Sequence, residues 1–112
     1  MSSPWTVRLG HQAEQDFLTI MQWTNSTFGE AQAMAYAHTI SQAIQALQDG
    51  PEVGGVKLRD EIEPGLRTLH VARQGRKGRH FVVFRAGAER NVDVLRLLHD
   101  SMDLARHVHA AG

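Results

Sequence analysis

Residues 80–99 constrain this chain more than any other stretch, because they hold two strand-length apolar runs around one short turn. His80-Phe81-Val82-Val83-Phe84-Arg85 is rich in β-branched and aromatic residues, and Val92-Asp93-Val94-Leu95-Arg96-Leu97-Leu98-His99 is a second such run. Between them, Ala86-Gly87-Ala88-Glu89-Arg90-Asn91 supplies the glycine and asparagine that tolerate turn dihedrals. This pair reads as two adjacent antiparallel strands in the middle of a small sheet. Everything upstream must pack on it.

The upstream residues supply that cover. Residues 5–9 alternate, with Trp5, Val7 and Leu9 on one face, and Gly10 ends the strand. From His11 the period changes. At about 100° per residue, Ala13, Phe17, Ile20, Met21, Thr24 and Phe28 share one helical stripe, while Leu18 and Trp23 fall off it. After Gly29 a second helix is expected over 30–49, with Ala33, Tyr36, Ala37, Ile40, Ala43, Ile44 and Leu47 on one face. Gly50-Pro51 stops it, since glycine takes the left-handed cap and proline cannot continue the helix. Residues 51–65 read as loop, 66–72 as a strand, 73–79 as a basic hairpin turn, and 102–109 as a last helix capped by Ser101 or Asp100, docking through Met102, Ala105 and Val108. The order is β-α-α-β-β-β-α. It describes an α+β, two-layer domain with a helix hairpin packed on a four-stranded, mainly antiparallel sheet.

The chain's 112 residues fit one domain, 1–112, and its apolar content of 42% suits a globule rather than a disordered segment. Without cysteine it has neither disulfides nor thiolate chemistry, and no apolar run approaches the length of a membrane span. A cytoplasmic location is expected. The net charge of zero hides an asymmetry: residues 1–56 hold one base against five acids, net −4, and residues 57–112 eleven bases against seven acids, net +4. The basic half, with its Arg76-Lys77-Gly78-Arg79 turn, is a weak pointer to an acidic or anionic partner, and equally reads as a solvated face. No cofactor is expected. A metal site is discounted, because His107 and His109 are too close in sequence for the usual i, i+4 pair and have no cysteine or carboxylate cluster beside them.

Several segments, in this order and spacing, carry a resemblance across nearly the whole chain. They are Ala13-Glu14-Gln15-Asp16-Phe17, Phe28-Gly29, Pro51-Glu52-Val53-Gly54, Glu63-Pro64-Gly65-Leu66-Arg67, Phe84-Arg85, and Val94-Leu95-Arg96-Leu97-Leu98-His99 followed by Asp103-Leu104. The chain resembles toxins of the RelE/ParE toxin–antitoxin superfamily, the plasmid-stabilisation ParE branch more than the RelE branch. It departs from the pattern at Gly10-His11, where the family commonly has Ser/Thr-Pro, and at Asp100-Ser101-Met102, where relatives often place an arginine beside the aspartate.

The resemblance implies a toxin that inhibits DNA gyrase by binding it, without chemistry of its own, and that a cognate ParD-like antitoxin neutralises. No membrane partner and no sequence-specific DNA binding by this chain alone are expected. The antitoxin is expected in a groove beside the helix hairpin, on the off-stripe side chains Leu18, Trp23 and Met34 with Arg67 and Arg73 nearby, and target contact from Arg96, His99, Asp103 and Arg106. The alternatives are a RelE-like endoribonuclease that cuts messenger RNA on the ribosome, and an inactive binding module of the same fold. A metal-free nuclease needs a base, an acid and cations, here His99, Arg85, Arg67 and Arg96, with His80 and His70 in reserve. Strict alternation puts Asp93, Leu95, Leu97 and His99 on one face of their strand and Arg96 on the other, and leaves Tyr36 on a buried helix face away from such a site. Net zero charge also equips the chain poorly for phosphate binding.

Overall fold

The computed structural model describes residues 4–111. Strand β1 (Thr6–Leu9) leads into helix α1 (His11–Phe28) and helix α2 (Glu30–Ala46), which ends in a single 3₁₀ turn, Leu47–Asp49. Strands β2 (Lys57–Leu58), β3 (Leu66–His70), β4 (His80–Gly87) and β5 (Asn91–His99) follow, and helix α3 (Leu104–Ala111) closes the chain. The sheet order is β1-β5-β4-β3-β2. The apolar hairpin therefore does occupy its middle, with β4 antiparallel to both neighbours. The α1/α2 hairpin carries the chain over the sheet, so β1 returns to the outer side of β5 in parallel, Thr6 opposite Asn91 and Leu9 opposite Val94. β2 adds a fifth strand inside the expected loop, pairing Lys57 with Thr68 and Leu58 with Arg67. Two residues between glycines and a turn are too few to show any alternation.

Val82, Val83 and Phe84 have no exposed surface. Successive strand side chains point to opposite faces, so a run like this requires cover on both. On one face Val82 and Phe84 join Leu69, Val92, Val94 and Leu97 beneath Ala13, Ile20, Ile40 and Ala43 of the helix hairpin. On the other, Val83 joins Leu66 and Leu98 beneath Val108 of α3, with Leu104 packed alongside. Each such side chain contributes about 1.5–3 kcal/mol by leaving water. Leu104 and Val108 lie one turn apart, and they dock α3 in place of the expected Met102, which is exposed. The N-cap shifts accordingly: Asp103, not Ser101 or Asp100, precedes the first turn, its Oδ1 3.5 Å from the Arg106 N–H. Phe28 also departs from expectation. It ends α1 beyond the reach of the sheet and is 62% exposed.

The largest departure from the sequence pattern is in β5. Val83 pairs with Arg96 but Phe84 pairs with Val94, so Leu95 is an extra residue and the strand bulges there. Beyond the bulge the alternation is reversed: Leu97 joins Val92 and Val94 under the helix hairpin, while Leu95 and Leu98 face α3. The face assignment of Asp93, Leu95, Leu97 and His99 as one set is thus corrected. The bulge also marks a change of neighbour along β5. β1 stops where the Gly10 N–H meets the Val94 carbonyl (2.9 Å), a crossing so close that a Cβ on Gly10 would lie 3.3 Å from that oxygen. From there α1 flanks β5, and Asp16 accepts the Leu97 N–H (2.9 Å) together with Arg96 Nε (2.7 Å) and Nη2 (3.0 Å).

Candidate functional site

A groove of about 1060 Å³ opens between the outer end of the helix hairpin and the end of the sheet where β4 starts and β5 finishes. Its walls come from Ile20, Trp23 and Phe28 of α1 and from Ala35 and Tyr36 of α2. Its floor is the Lys77-Gly78-Arg79 turn, His80, His99 and the Ser101-Met102 segment. Trp23 and Phe28 pack edge to face at 5.7 Å and are both more than 60% exposed, 61% and 62%. Sequence reasoning placed Trp23 off the apolar stripe. It missed Phe28, because the stripe continues past the point where the sheet ends.

The polar end of the groove is a connected cluster. His80 opens β4 and His99 closes β5, and the hairpin register sets them opposite one another, with rings edge to face at 5.2 Å. The Tyr36 hydroxyl accepts the Arg79 backbone N–H (3.0 Å) and turns its own proton to His80 Nδ1 (2.6 Å). Tyr36 therefore sits within the cluster, correcting the expectation that it lay apart. One turn before Ile40 on the buried face of α2, it overhangs the sheet end rather than the core. Burial, reinforced by His99, lowers the His80 pKa to about 4, and burial also raises that of Tyr36. His80 is accordingly neutral at pH 7, with its proton on Nε2.

Asp100, expected as a helix cap, instead ties this end of the sheet together. It accepts Arg79 Nε (3.1 Å) and Nη2 (3.0 Å), and His70 Nε2 donates to it across 2.9 Å, its Nδ1 being taken by the Ala72 N–H. The Arg79 hydrogen bond, followed by that of His70, lowers the Asp100 pKa to about 2. His99 Nδ1 accepts from the Ser101 N–H (3.1 Å) and lies 2.7 Å from the Ser101 hydroxyl. Gly78 lets the basic turn close over this cluster. A Cβ there would collide with Val71 Cγ2 and press on the Tyr36 ring.

The four nuclease candidates do not converge. His99 lies in this cluster, whereas Arg96 is held by Asp16 at the β5 edge, with side chains only 17% and 15% exposed. Its hydrogen bond to Asp16 raises the Arg96 pKa. Arg96 is thereby corrected from a free contact residue to a structural cation. Arg85 pairs with Glu63. Arg67 reaches the Pro51 carbonyl (3.2 Å) and lies opposite Phe84, four residues along β4 from His80, or about 13 Å of strand.

The antitoxin candidates are also separated. Trp23 belongs to the large groove, but Met34 lines a shallower one of about 350 Å³ on the opposite flank of the hairpin with Met21, Ala33 and Ala37. Leu18, 53% exposed, precedes Met21 and Gln22 by one turn and shares that second flank. Arg67 and Arg73 both reach the 51–54 loop, Arg73 through the Gly54 carbonyl at 3.4 Å. Asp103 and Arg106, before and within the first turn of α3, are exposed, and Arg96 Nη1 reaches the same helix at the His107 carbonyl (3.4 Å). His107 is described, whereas the side chain of His109 lies outside the described residues, as does any metal reading that needs it.

A family model described as "ParE toxin of type II toxin-antitoxin system, parDE" matches residues 7–104. The proteins named Toxin ParE1 of two Mycobacterium tuberculosis strains are 32% identical over 108 residues, covering 96% of this chain and 100% of theirs. Toxin ParE1 of Caulobacter vibrioides is 28% identical over 101 residues, 90% of this chain and 95% of its own. Among solved structures, one titled "Chromosomal ParDE TA system from P. aeruginosa" superposes with a TM-score of 0.71 at 21% identity, over 88% of this chain and 98% of that one. A chain of the RelBE2 toxin–antitoxin complex of M. tuberculosis does so with a TM-score of 0.56 at 23% identity, over 86% and 98%. At those identities the two structures speak for the fold, whereas the family match and the 32% relatives speak for descent. The chain belongs to the ParE toxin family of type II toxin–antitoxin systems.

Proposed function

We propose that this toxin acts in the cytoplasm by binding DNA gyrase and arresting it, with no catalytic chemistry of its own, and that an antitoxin silences it by covering its surface. The observation that supports a binding mode is the disposition of its side chains. Large apolar groups stand exposed on both flanks of the helix hairpin, while the sheet arginines 67, 85 and 96, with Arg79 just before β4, are engaged with carboxylates or carbonyls of the chain itself. Exposed apolar surface on one element marks a protein-docking site. Cations already neutralised are poor phosphate ligands. The choice of gyrase follows the ParE-branch resemblance, and the antitoxin follows the family's toxin–antitoxin setting and the two similar structures, whose titles name such systems.

The convergence of Tyr36, His80 and His99 is the one feature that favours the nuclease alternative. It supplies imidazoles but not the arrangement. A general acid and base must stand on either side of the phosphate, and rings in contact at 5.2 Å leave no room between them. Purified toxin is to be incubated with gyrase and supercoiled plasmid, and in parallel with messenger RNA in a translation extract. Inhibition or trapped cleavage complexes in the first with intact message in the second is the expected result. Cut message with unaffected gyrase would hand the case to the nuclease, and harmless expression with no effect in either assay would indicate an inactive binding module.

A further inference from the structure

We infer that a row of four alternating charges on the α3 side of the sheet is a docking face for a second copy of this chain, the two copies related by a two-fold axis.

Strand register builds the row. Arg8 of β1 lies opposite Asp93 of β5 and pairs with it at 3.5 Å, and Asp93 lies opposite Arg85 of β4. Arg85 in turn pairs with Glu63, from the loop before β3. Neighbouring strands are about 4.8 Å apart, so Glu63, Arg85, Asp93 and Arg8 cross the sheet as −, +, −, + over roughly 15 Å. Alternation fixes the face. Val7, Leu9, Val92, Val94 and Phe84 pack into the core beneath the helix hairpin, so their strand neighbours Arg8, Asp93 and Arg85 point to the other side. There α3 covers Leu66, Val83 and Leu98 but leaves the row open, its four side chains 39% to 62% exposed. Gly87, two residues past Arg85 on the same face, adds no side chain that would stand between the row and a partner.

The charge pattern selects the occupant, because an even, alternating row is complementary to its own reversal. A two-fold axis running across the row between Arg85 and Asp93 sets Arg8 against Glu63 of the second copy and Arg85 against Asp93 of the second copy. All four facing pairs are then attractive. An axis along the row would set each charge against its like, so the charges admit one orientation and reject the other. An unrelated protein would have to supply the same four signs at the same spacing, whereas a second copy carries them by construction. With net charge zero, two copies also approach without long-range repulsion. Each exposed pair contributes little by itself, so the contact belongs to the small, transient class, its orientation set by charge.

Sedimentation velocity of the full chain, from micromolar to millimolar concentration, tests this without gyrase or antitoxin. Dimers are expected to form as concentration rises, and to weaken at least tenfold between about 50 and 500 mM salt as the exposed pairs are screened. Asp93→Arg and Arg85→Glu should each abolish self-association, because each sets like charges against one another at the centre of the row. Mixed together, the two variants should form a heterodimer, since every charge then faces its opposite. Arg8→Glu and Glu63→Arg make the same exchange at the ends of the row, and they replace the central pair if either central variant loses the wild-type circular dichroism. Folded wild-type protein that stays monomeric throughout would overturn the inference. So would variants that fail to pair on mixing, and so would dimers that survive the charge reversals but are lost with Trp23→Ala or Met34→Ala, which would place the contact on the helix hairpin instead.

Discussion

Asp16 shows how one side chain can serve three donors from two residues. It takes the Leu97 N–H that no strand accepts and both donors of Arg96, in a site where the two charges are mostly shielded from water. Removing one member of such a pair leaves an uncompensated charge, at a cost of about 3–5 kcal/mol. Arg96→Ala should therefore be strongly destabilising in urea melts. Asp16→Asn should cost less than Asp16→Ala, because the amide oxygen can still accept the Leu97 N–H. His80 makes a different prediction. Its folded pKa of about 4 lies below its ordinary value of 6.5, so the unfolded chain binds the proton more readily. Stability contributed by neutral His80 is present above pH 6.5 and is lost as pH falls toward 4; that from Asp100, whose pKa is depressed, is lost only lower, between about 4 and 2. A thermal melt series should fall in two steps, and Tyr36→Phe, which strips His80 of its donor and the Arg79 N–H of its acceptor, should cost about 1–2 kcal/mol at pH 7.

Among the elements, those with long periodic runs were legible in the sequence and those set by neighbours were not. The β-α-α-β-β-β-α order, to which the structure adds only the two-residue β2, the central hairpin and the stop at Gly50 follow from alternation, helical stripes and glycine. The bulge at Leu95 has no local signal, since it arises where β1 gives way to α1 alongside β5. That single extra residue decides which way Leu97, Leu98 and His99 face, so the site was misread with it. Pairing the first residue of the hairpin with the last would have brought His80 to His99 from the sequence alone. Tyr36 needed the tertiary overhang of α2, which no periodicity contains. The last helix was legible as an element and in its docking residue Val108, though Leu104 docks where Met102 was expected, and it yields a prediction. Val108, 8% exposed, covers Leu66, Val83 and Leu98. Val108→Asp would bury a charge without a partner, so α3 should release instead. Increased binding of an apolar dye and faster amide exchange along β3 and β4 are expected, with the helix-hairpin core still protected, because that core lies on the opposite face of the sheet.

At the scale of the whole molecule, charge decides between a protein target and a nucleic-acid target. The chain has net charge zero, and five of its arginines are paired within the chain: Arg8 with Asp93, Arg67 near Glu52, Arg79 with Asp100, Arg85 with Glu63, Arg96 with Asp16. A protein making six to ten phosphate contacts loses about 10³–10⁵ in affinity between 50 and 200 mM salt, because each contact releases a condensed counterion. The five paired arginines are poorly disposed to make such contacts. Its exposed groups at the hairpin are Leu18, Trp23, Phe28 and Met34, whose burial against a protein is insensitive to ionic strength. The concentration of toxin that half-inhibits gyrase should accordingly change by less than about tenfold over that salt range, after correction for the enzyme's own salt response. A steep loss would mean that phosphate contacts carry the binding, and would move the target from the gyrase protein surface toward nucleic acid. Because the surface pairs would be screened equally in either case, the slope reports the interface rather than the stability of the toxin.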